Sequence, residues 1–372
     1  MVRVVADAIP LYAAERVDAT VDVLRSIARV VDRHRYVLGT EVAAFESAFA
    51  DYCGVAECVG VANGTDALEI ALRAVDVGPA DRVVLVANAG FYGTTAVRSI
   101  GAVPHYVDID SRTLTMSPTA FEEALASRPS AVVVTHLYGR LASIEPITAV
   151  AATRGVPVIE DCAQAHGAAH NGSRAGSFGT VGCFSFYPTK NLPAIGDGGA
   201  VVTNDPALAK RIRQLRQYGW GAKYQVDTQG GRNSRLDEVQ AAVLNDRLPW
   251  LDTWNQERRS IAQSYVRGLG GMPVGVPPSV GSDSVAHLFV LEVDDRDRFR
   301  DDLREAGVAT DVHYPIPDHL QPAYAEQVSF SLPVTERACR RVVSLPCYPG
   351  MSDSQIAKVI DVIGNHFAMA RA

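Results

Sequence analysis

Short apolar runs alternate with amphipathic segments from residue 59 to residue 203. The runs predict strands at 59–62, 82–87, 103–107, 131–135, 156–159, 181–186 and 199–203. Apolar residues at helical spacing predict helices between most of these strands. Continuous valine and isoleucine strands separated by helices indicate a parallel sheet that is buried on both faces. Ligands bind such sheets at the carboxyl ends of the strands, where Asn63, His136 and Asp161 fall.

The two ends of the chain have different patterns. Residues 14–52 are predicted to be helical, with a turn-like interruption at 35–40. Beyond residue 250 we predict a charged helix at 256–268 and a glycine- and proline-rich link at 270–281. Strands at 287–293 and 308–313 and helices at 296–306 and 353–367 follow. The chain therefore divides into a large α/β domain at 1–250, which includes the N-terminal helical segment, and a smaller α+β domain at 251–372.

Composition excludes several classes of protein. The chain has 372 residues, of which 47% are hydrophobic, and a formal net charge of −7, so we expect neither a nucleic-acid nor a membrane partner. No apolar run approaches the roughly 18 residues of a membrane span, and the N-terminus lacks the apolar core of a signal peptide. The six cysteines form no CxxC pair, which favours buried, reduced thiols and no metal site. We expect a cytoplasmic protein.

One lysine lies between two predicted strands. Lys190 follows the strand at 181–186, and glycines 196, 198 and 199 follow it. Taken alone, such a lysine is more often a surface residue in a turn. A lysine held between buried strands has its pKa lowered by desolvation, which frees the amine to attack a carbonyl group. The choice between these interpretations depends on the surrounding residues.

Three further residue groups supply the context for Lys190. The turn Asn63-Gly-Thr-Asp66 joins a strand to a helix and can bind an anion at free backbone amides, although an ordinary helix cap explains the same residues. Asp161 at a strand end can keep a ring nitrogen protonated, and Gln164 lies three residues further on. An amine for an aldehyde, a carboxylate for a pyridine nitrogen and a phosphate site together describe the needs of pyridoxal 5′-phosphate.

Five segments resemble those of the DegT/DnrJ/EryC1/StrS family of pyridoxal-phosphate-dependent nucleotide-sugar aminotransferases. They are VANGTDALE (61–69), VIEDCAQAHGA (158–168), FSFYPTKNL (184–192), GDGGAVVTND (196–205) and NSRLDEVQAA (233–242). The resemblance covers nearly the whole chain and keeps the family order. It implies the fold of type I pyridoxal-phosphate transferases, which is like that of aspartate aminotransferase: a mainly parallel seven-stranded sheet in the large domain and a smaller α+β C-terminal domain.

The resemblance also implies residue roles. Lys190 would bind the cofactor covalently and move the proton, and Asp161 would pair with the ring nitrogen. Gln164 would bind the ring hydroxyl, and Gly64, Thr65 and Ser185 the phosphate. Asn233 would reach the phosphate from the neighbouring subunit of a homodimer. Tyr36, His313 and Tyr314 would lie near the sugar, or else be packing residues.

Position 90 departs from the family pattern. Most relatives have an aromatic residue there that stacks on the cofactor ring, whereas this chain has Gly90. Phe91 and Tyr92 follow directly. We assign the stacking role to Tyr92, with Phe91 as the alternative, although either could be a packing residue.

The implied reaction is amino transfer in two halves. L-Glutamate would convert the cofactor to pyridoxamine 5′-phosphate, which would then aminate the C3 or C4 keto group of a dTDP-linked deoxysugar, in the biosynthesis of a deoxyaminosugar of an antibiotic or a glycan. Relatives that dehydrate sugars have histidine at the position of Lys190, which disfavours a dehydratase. The alternative that the chain is a non-catalytic regulator that binds the cofactor stays open. No G-x-G-x-x-G follows the first strand, which disfavours a nicotinamide oxidoreductase.

Overall fold

A seven-stranded sheet forms the centre of the molecule. The computed structural model describes residues 8–278, 280–324 and 330–369. The strands are β1 (Glu57–Val61), β2 (Arg82–Val86), β3 (Val103–Val107), β4 (Ala131–Thr135), β5 (Val158–Asp161), β6 (Ala169–His170), β7 (Ser173–Arg174), β8 (Val181–Ser185), β9 (Gly199–Thr203), β10 (Trp220–Ala222), β11 (Gln225–Val226), β12 (Phe289–Glu292) and β13 (Val342–Leu345).

The order of strands in the central sheet is β1-β9-β8-β5-β4-β2-β3. Strand β9 pairs antiparallel with both β1 and β8, whereas the four pairs from β8 to β3 are parallel. This arrangement confirms the predicted mainly parallel sheet and its type I transferase fold. The parallel strands end at one edge, which collects the loops that follow them.

Helices cover both faces of the sheet, as the continuous apolar strands require. The helices are α1 (Ala14–Asp18), α2 (Val23–Arg33), α3 (Thr40–Cys53), α4 (Gly64–Ala74), α5 (Tyr92–Ser99), α6 (Pro118–Ala124), α7 (Ile144–Ala152), α8 (Pro206–Leu215), α9 (Glu238–Arg247), α10 (Leu251–Gly268), α11 (Arg296–Glu305), α12 (Pro333–Arg341) and α13 (Asp353–Met369). Short 3₁₀ turns lie at Leu125–Ser127, Leu137–Gly139, Leu248–Trp250 and Asp318–Leu320. One apolar cluster joins α4, α5 and α8 to the sheet, and another joins α3 and α9 to its opposite face.

The C-terminal part differs from its predicted pattern at one strand. Strands β12 and β13 pair antiparallel, with Phe289 opposite Leu345. The predicted strand at 308–313 was wrong: this segment makes only isolated bridges, at Val308 to Ile9 and at Asp311 to Ser344. Strand β13, which was not predicted, takes the place beside β12 instead. The division of the chain near residue 250 stays a prediction.

The N-terminal segment packs on C-terminal residues. The Ile9 amide donates to the Gly307 carbonyl at 2.8 Å, and the Ala309 amide donates to the Ile9 carbonyl at 3.0 Å. Ile9 and Ala13 belong to the same apolar cluster as the strands β12 and β13. The segment that follows, Leu11 and Tyr12, therefore reaches the wall of the cavity described below.

The six cysteines are buried and unpaired. Among the residues described, every helix is too short or too polar to cross a membrane.

Candidate active site

A cavity of about 790 Å³ opens at the carboxyl edge of the sheet. It lies between the loops of the large sheet and the segment 311–314, so residues from both ends of the chain surround it. Nine of the predicted site residues line it: Gly64, Thr65, Tyr92, Asp161, Gln164, Ser185, Lys190, His313 and Tyr314. The residues that the sequence patterns singled out therefore lie mainly around one cavity.

Lys190 lies in the turn after β8. Its backbone amide donates to the Tyr187 carbonyl at 2.8 Å, which fixes the turn, and its side chain lines the cavity. Burial lowers the pKa of the Lys190 amine to about 8, and the nearby Asp161 carboxylate partly opposes this by raising it. About a tenth of the amine is therefore unprotonated and nucleophilic at pH 7.

Asp161 is the last residue of β5, and its carboxylate is buried. It accepts hydrogen bonds from the Ala163 amide and the Thr135 hydroxyl, both at 3.2 Å. Burial raises the pKa of Asp161, while these hydrogen bonds and the Lys190 charge act in the opposite direction. A desolvated carboxylate of this kind gains most from a cationic N–H partner in the cavity.

The start of α4 forms a cradle with the end of β8. The Asn63 side chain accepts from the Asp66 amide at 2.8 Å and so caps the helix. The amides of Gly64 and Thr65, at the start of the helix, have no intrahelical partner. A Cβ atom on Gly64 would lie 2.6 Å from the Ser185 Cβ, so only glycine permits this close approach. Free amides, the Ser185 hydroxyl and the helix dipole suit a phosphate group.

Gln164 and Tyr314 form a polar link on the cavity wall. The Gln164 amide donates to the Tyr314 hydroxyl at 3.2 Å and accepts from the Tyr138 amide at 2.6 Å. His313 beside them contacts the Ser344 hydroxyl at 2.8 Å, and burial lowers the pKa of its imidazole. The His313 ring is therefore mainly neutral at pH 7.

Three predicted site residues lie at the rim of the cavity or outside it. Tyr36 and Asn233 are exposed and do not line the cavity. Tyr92 lines it, yet its side chain is 45% exposed. The assigned roles of these three residues, like those of the other predicted site residues, stay predictions.

The matches with known proteins agree with this geometry. Residues 18–364 match the DegT/DnrJ/EryC1/StrS aminotransferase family. The chain belongs to this family. As a member it is an aminotransferase, which confirms the expected enzyme class.

Several characterised relatives are similar to this aminotransferase over most of their length. The dTDP-3-amino-3,4,6-trideoxy-α-D-glucose transaminase of Streptomyces venezuelae is 44% identical over 91% of this chain and 90% of its own. The UDP-N-acetyl-3-dehydro-α-D-glucosamine 3-aminotransferase of Acidithiobacillus ferrooxidans is 41% identical over 92% and 93%. The crystal structure of S. venezuelae DesV in complex with a ketimine intermediate has a TM-score of 0.94 and 42% identity, covering 97% of this chain and 98% of DesV.

Two buried basic residues of the aminotransferase's cavity were missed by sequence reasoning. Arg258 of α10 is buried, and its Nη1 donates to the Cys347 carbonyl at 2.5 Å and the His287 carbonyl at 3.3 Å. No described carboxylate lies within ion-pair distance of it. His287 bonds to the Asn191 amide oxygen at 3.0 Å, and burial keeps its pKa well below the usual range. Neither residue has a local sequence signal, because long-range packing brings both to the cavity.

His136 does not join the site, although it follows a strand end. It is fully buried, bonds Glu160 at 2.9 Å through Nε2 and accepts from the Ala142 amide at 3.1 Å. His136, Glu160 and Cys162 have donor atoms within 4.8 Å of one another, a spacing that a metal ion could bridge. The Glu160 oxygens, however, already accept from the amides of residues 176, 178 and 179. This cluster is therefore a hydrogen-bonded part of the core.

Proposed function

We propose that this aminotransferase uses pyridoxal 5′-phosphate to move the amino group of L-glutamate to the C3 keto group of a dTDP-linked deoxysugar. The observation that carries the proposal is the meeting of three groups in one cavity: the Lys190 amine, the buried Asp161 carboxylate and the Gly64–Ser185 cradle. These groups match the aldehyde, ring nitrogen and phosphate of the cofactor in their chemistry.

Each of these groups has a defined task toward the cofactor. Gly64, Thr65 and Ser185 would hold the phosphate, Asp161 the ring nitrogen and Gln164 the ring hydroxyl. When bound, pyridoxal 5′-phosphate supplies an aldehyde that can carry an amino group between substrates and a ring that takes up electrons.

Lys190 is the acid and base of the proposed reaction. With a pKa of about 8, its Nζ can both take up and release a proton near neutral pH. A lysine with the usual value of 10.5 would hold its proton almost completely. Burial lowers the pKa of both the His287 and the His313 imidazoles, so Lys190 and Arg258 supply the positive charges of the cavity wall.

The choice of a C3 keto sugar rests on the relatives. Both the S. venezuelae and the A. ferrooxidans enzymes carry the 3-amino or 3-dehydro position in their names, although their nucleotides differ. The cavity, at about 790 Å³, falls in the range of ligand pockets and offers room for a substrate beside a cofactor. The cavity wall carries the Arg258 and Lys190 cations together with the carboxylates of Asp161, Asp197 and Asp311. We expect the Arg258 guanidinium, which has no ion-pair partner among the described carboxylates, to bind the anionic part of a substrate such as glutamate or a nucleotide sugar.

We further propose that the active unit is a homodimer. Tyr36, Val37 and Ile195 are exposed by 40% or more and border the start of α9, where the Glu238 amide donates to the Tyr36 carbonyl and the Gln240 side chain accepts from the Ile195 amide. Asn233 lies shortly before the same helix. An exposed apolar patch of this kind is typical of a subunit interface.

Spectroscopy of the two half-reactions tests the function. Protein loaded with pyridoxal 5′-phosphate should lose its visible cofactor absorbance when L-glutamate is added and release 2-oxoglutarate. A dTDP-3-keto-6-deoxysugar should then restore the absorbance. Lys190→Ala should show neither the initial absorbance nor turnover, whereas the exposed Lys210→Ala should behave as the wild type. An active Lys190→Ala protein, or a spectrum that no amino donor changes, would contradict the proposal.

A further inference from the structure

Gly90 lies in direct contact with an aromatic ring from a distant part of the chain. Gly90 has a φ of +78°, and a Cβ atom built on it would lie 2.7 Å from Cζ of Tyr314 and less than 3 Å from both Cε atoms. Any side chain at position 90 would therefore begin where the Tyr314 ring now lies. The two residues are 224 positions apart in sequence, so no local pattern indicates this contact.

Three hydrogen-bonded links hold the Tyr314 loop in this position. The Gln164 amide donates to the Tyr314 hydroxyl at 3.2 Å, and the Tyr138 hydroxyl donates to the carbonyl of the preceding His313. On the other side, the buried Asp318 ties the loop to the turn that contains Gly90.

The Asp318 link joins two chain segments at several atoms. Its amide donates to the Ala87 carbonyl at 2.7 Å, and its carboxylate accepts from the Phe91 amide at 3.0 Å and the Thr94 hydroxyl at 2.5 Å. Ala87, Phe91 and Thr94 flank Gly90 on both sides. The Tyr314 ring and the Gly90 turn are thus one fixed unit of the cavity wall.

The neighbouring aromatic residues are less suited to face a flat ligand in the cavity. Phe91 is 44% exposed and does not line the cavity. Tyr92 is 45% exposed, and its ring meets that of Tyr314 edge-on, at 6.3 Å between centroids and 75° between planes. Tyr314 is more enclosed, and it is linked to Gln164, the residue assigned to the cofactor's ring hydroxyl.

We propose that Tyr314 supplies the aromatic contact for the cofactor's pyridine ring, in place of a side chain at position 90. The inference rests on the proposed function, because it concerns the same cofactor. Gly90 is then required for space: it leaves room for a ring that the C-terminal part of the chain contributes.

Equilibrium titration of the apo-protein with pyridoxal 5′-phosphate tests this inference without an activity assay. Aromatic contacts contribute enough beyond buried area that Tyr314→Ala should raise the Kd about tenfold and change the visible circular dichroism of the bound cofactor. Tyr314→Phe keeps the ring and should bind within about twofold of the wild type. Tyr92 is the alternative residue for this contact, and Tyr92→Ala should bind the cofactor with a Kd within about twofold of the wild type.

The variant Gly90→Ala tests the same contact without removing the tyrosine. Its Cβ would displace the Tyr314 ring, and the φ of +78° strains the turn in either background, so we expect the Kd to rise several-fold in the wild type and by clearly less in a Tyr314→Ala background. An effect that is smaller in the double variant than the sum of the single effects shows that the two positions are in contact. A thermal melt of each variant identifies any protein that is unfolded.

The outcomes separate this inference from the proposed function. Wild-type protein that fails to bind pyridoxal 5′-phosphate would overturn the proposed function. A wild type that binds, together with an unchanged Kd in Tyr314→Ala or a tenfold loss in Tyr92→Ala, would overturn the inference alone. Additive effects of Gly90→Ala and Tyr314→Ala would overturn it as well.

Discussion

At the scale of single residues, burial gives Lys190 its chemistry. Removal from water disfavours the ammonium form and lowers the pKa to about 8, although Asp161 acts against this shift. At pH 7.5 about a quarter of such an amine is unprotonated, against about one part in a thousand for an ordinary lysine. This difference in the unprotonated fraction should change the rate at which the amine reacts with an aldehyde.

The rate of covalent cofactor loading should follow the unprotonated fraction of Lys190. In stopped-flow absorbance, the second-order rate constant for apo-protein with pyridoxal 5′-phosphate should rise about eightfold from pH 6.5 to pH 7.5 and level off above about pH 9. The phosphate of the cofactor titrates near pH 6, so the comparison should begin above pH 6.5. A rate constant that still rises about eightfold between pH 9 and pH 10 would show an ordinary lysine pKa of 10.5.

Sequence alone could predict nine of the residues that line the cavity and to which we assign cofactor or substrate roles. Lys190, Asp161 and the Gly64–Thr65 helix start lie at strand ends or helix starts, where local patterns are informative. The Tyr314 contact with Gly90 was beyond that reasoning, because it depends on the path of a loop more than two hundred residues away.

At the scale of elements, the buried Glu238 of α9 serves as the N-terminal cap of another helix. Helix α3 begins after Gly39, which has no capping side chain of its own. The Glu238 carboxylate instead accepts from the amides of Gly39, Glu41 and Val42, at 2.7, 3.0 and 2.9 Å. This carboxylate fixes the turn at 35–40, which contains Tyr36.

Removing this cap should destabilise the protein. Glu238→Ala leaves three buried amides without partners, so we expect the free energy of unfolding to fall by about 2–3 kcal/mol. Urea denaturation followed by circular dichroism measures the change, and the exposed Glu122→Ala in α6 is the control. A loss below about 0.5 kcal/mol, which is typical of surface substitutions, would contradict the capping role.

The elements that sequence predicted least well belong to the C-terminal part. The segment at 308–313 has the apolar spacing of a strand, but Val308 pairs with Ile9 and Asp311 with Ser344, each through a single bridge. Strand β13 instead follows a charged helix, α12, and pairs with β12 from a distance of about fifty residues. Pairing between strands so far apart in the sequence depends on tertiary packing, which the local pattern of apolar and polar residues does not indicate.

At the scale of the whole molecule, the account requires two subunits for one complete site. Asn233 is exposed and lies outside the cavity of its own chain, which agrees with a role in a partner's site. Subunit exchange between two inactive variants tests this arrangement.

Mixing Lys190→Ala with Asn233→Ala should restore activity. If each site uses Lys190 of one subunit and Asn233 of the other, half of the randomly mixed dimers are heterodimers with one intact site. The mixture should then reach about a quarter of wild-type activity, whereas each variant alone stays near background. Lack of recovery after verified exchange would place both residues in the same subunit's site, and an Asn233→Ala variant that is fully active alone would show that Asn233 has no role.

The central claim is amino transfer to a sugar, and the fate of the donor nitrogen tests it most directly. Wild-type protein with pyridoxal 5′-phosphate, ¹⁵N-labelled L-glutamate and a dTDP-3-keto-6-deoxysugar should yield a nucleotide sugar that carries ¹⁵N at C3, detected by mass spectrometry and NMR. Lys190→Ala should yield none. A sugar that has lost oxygen without gaining ¹⁵N would indicate a dehydratase, and a sugar recovered unchanged with every keto isomer would contradict the account.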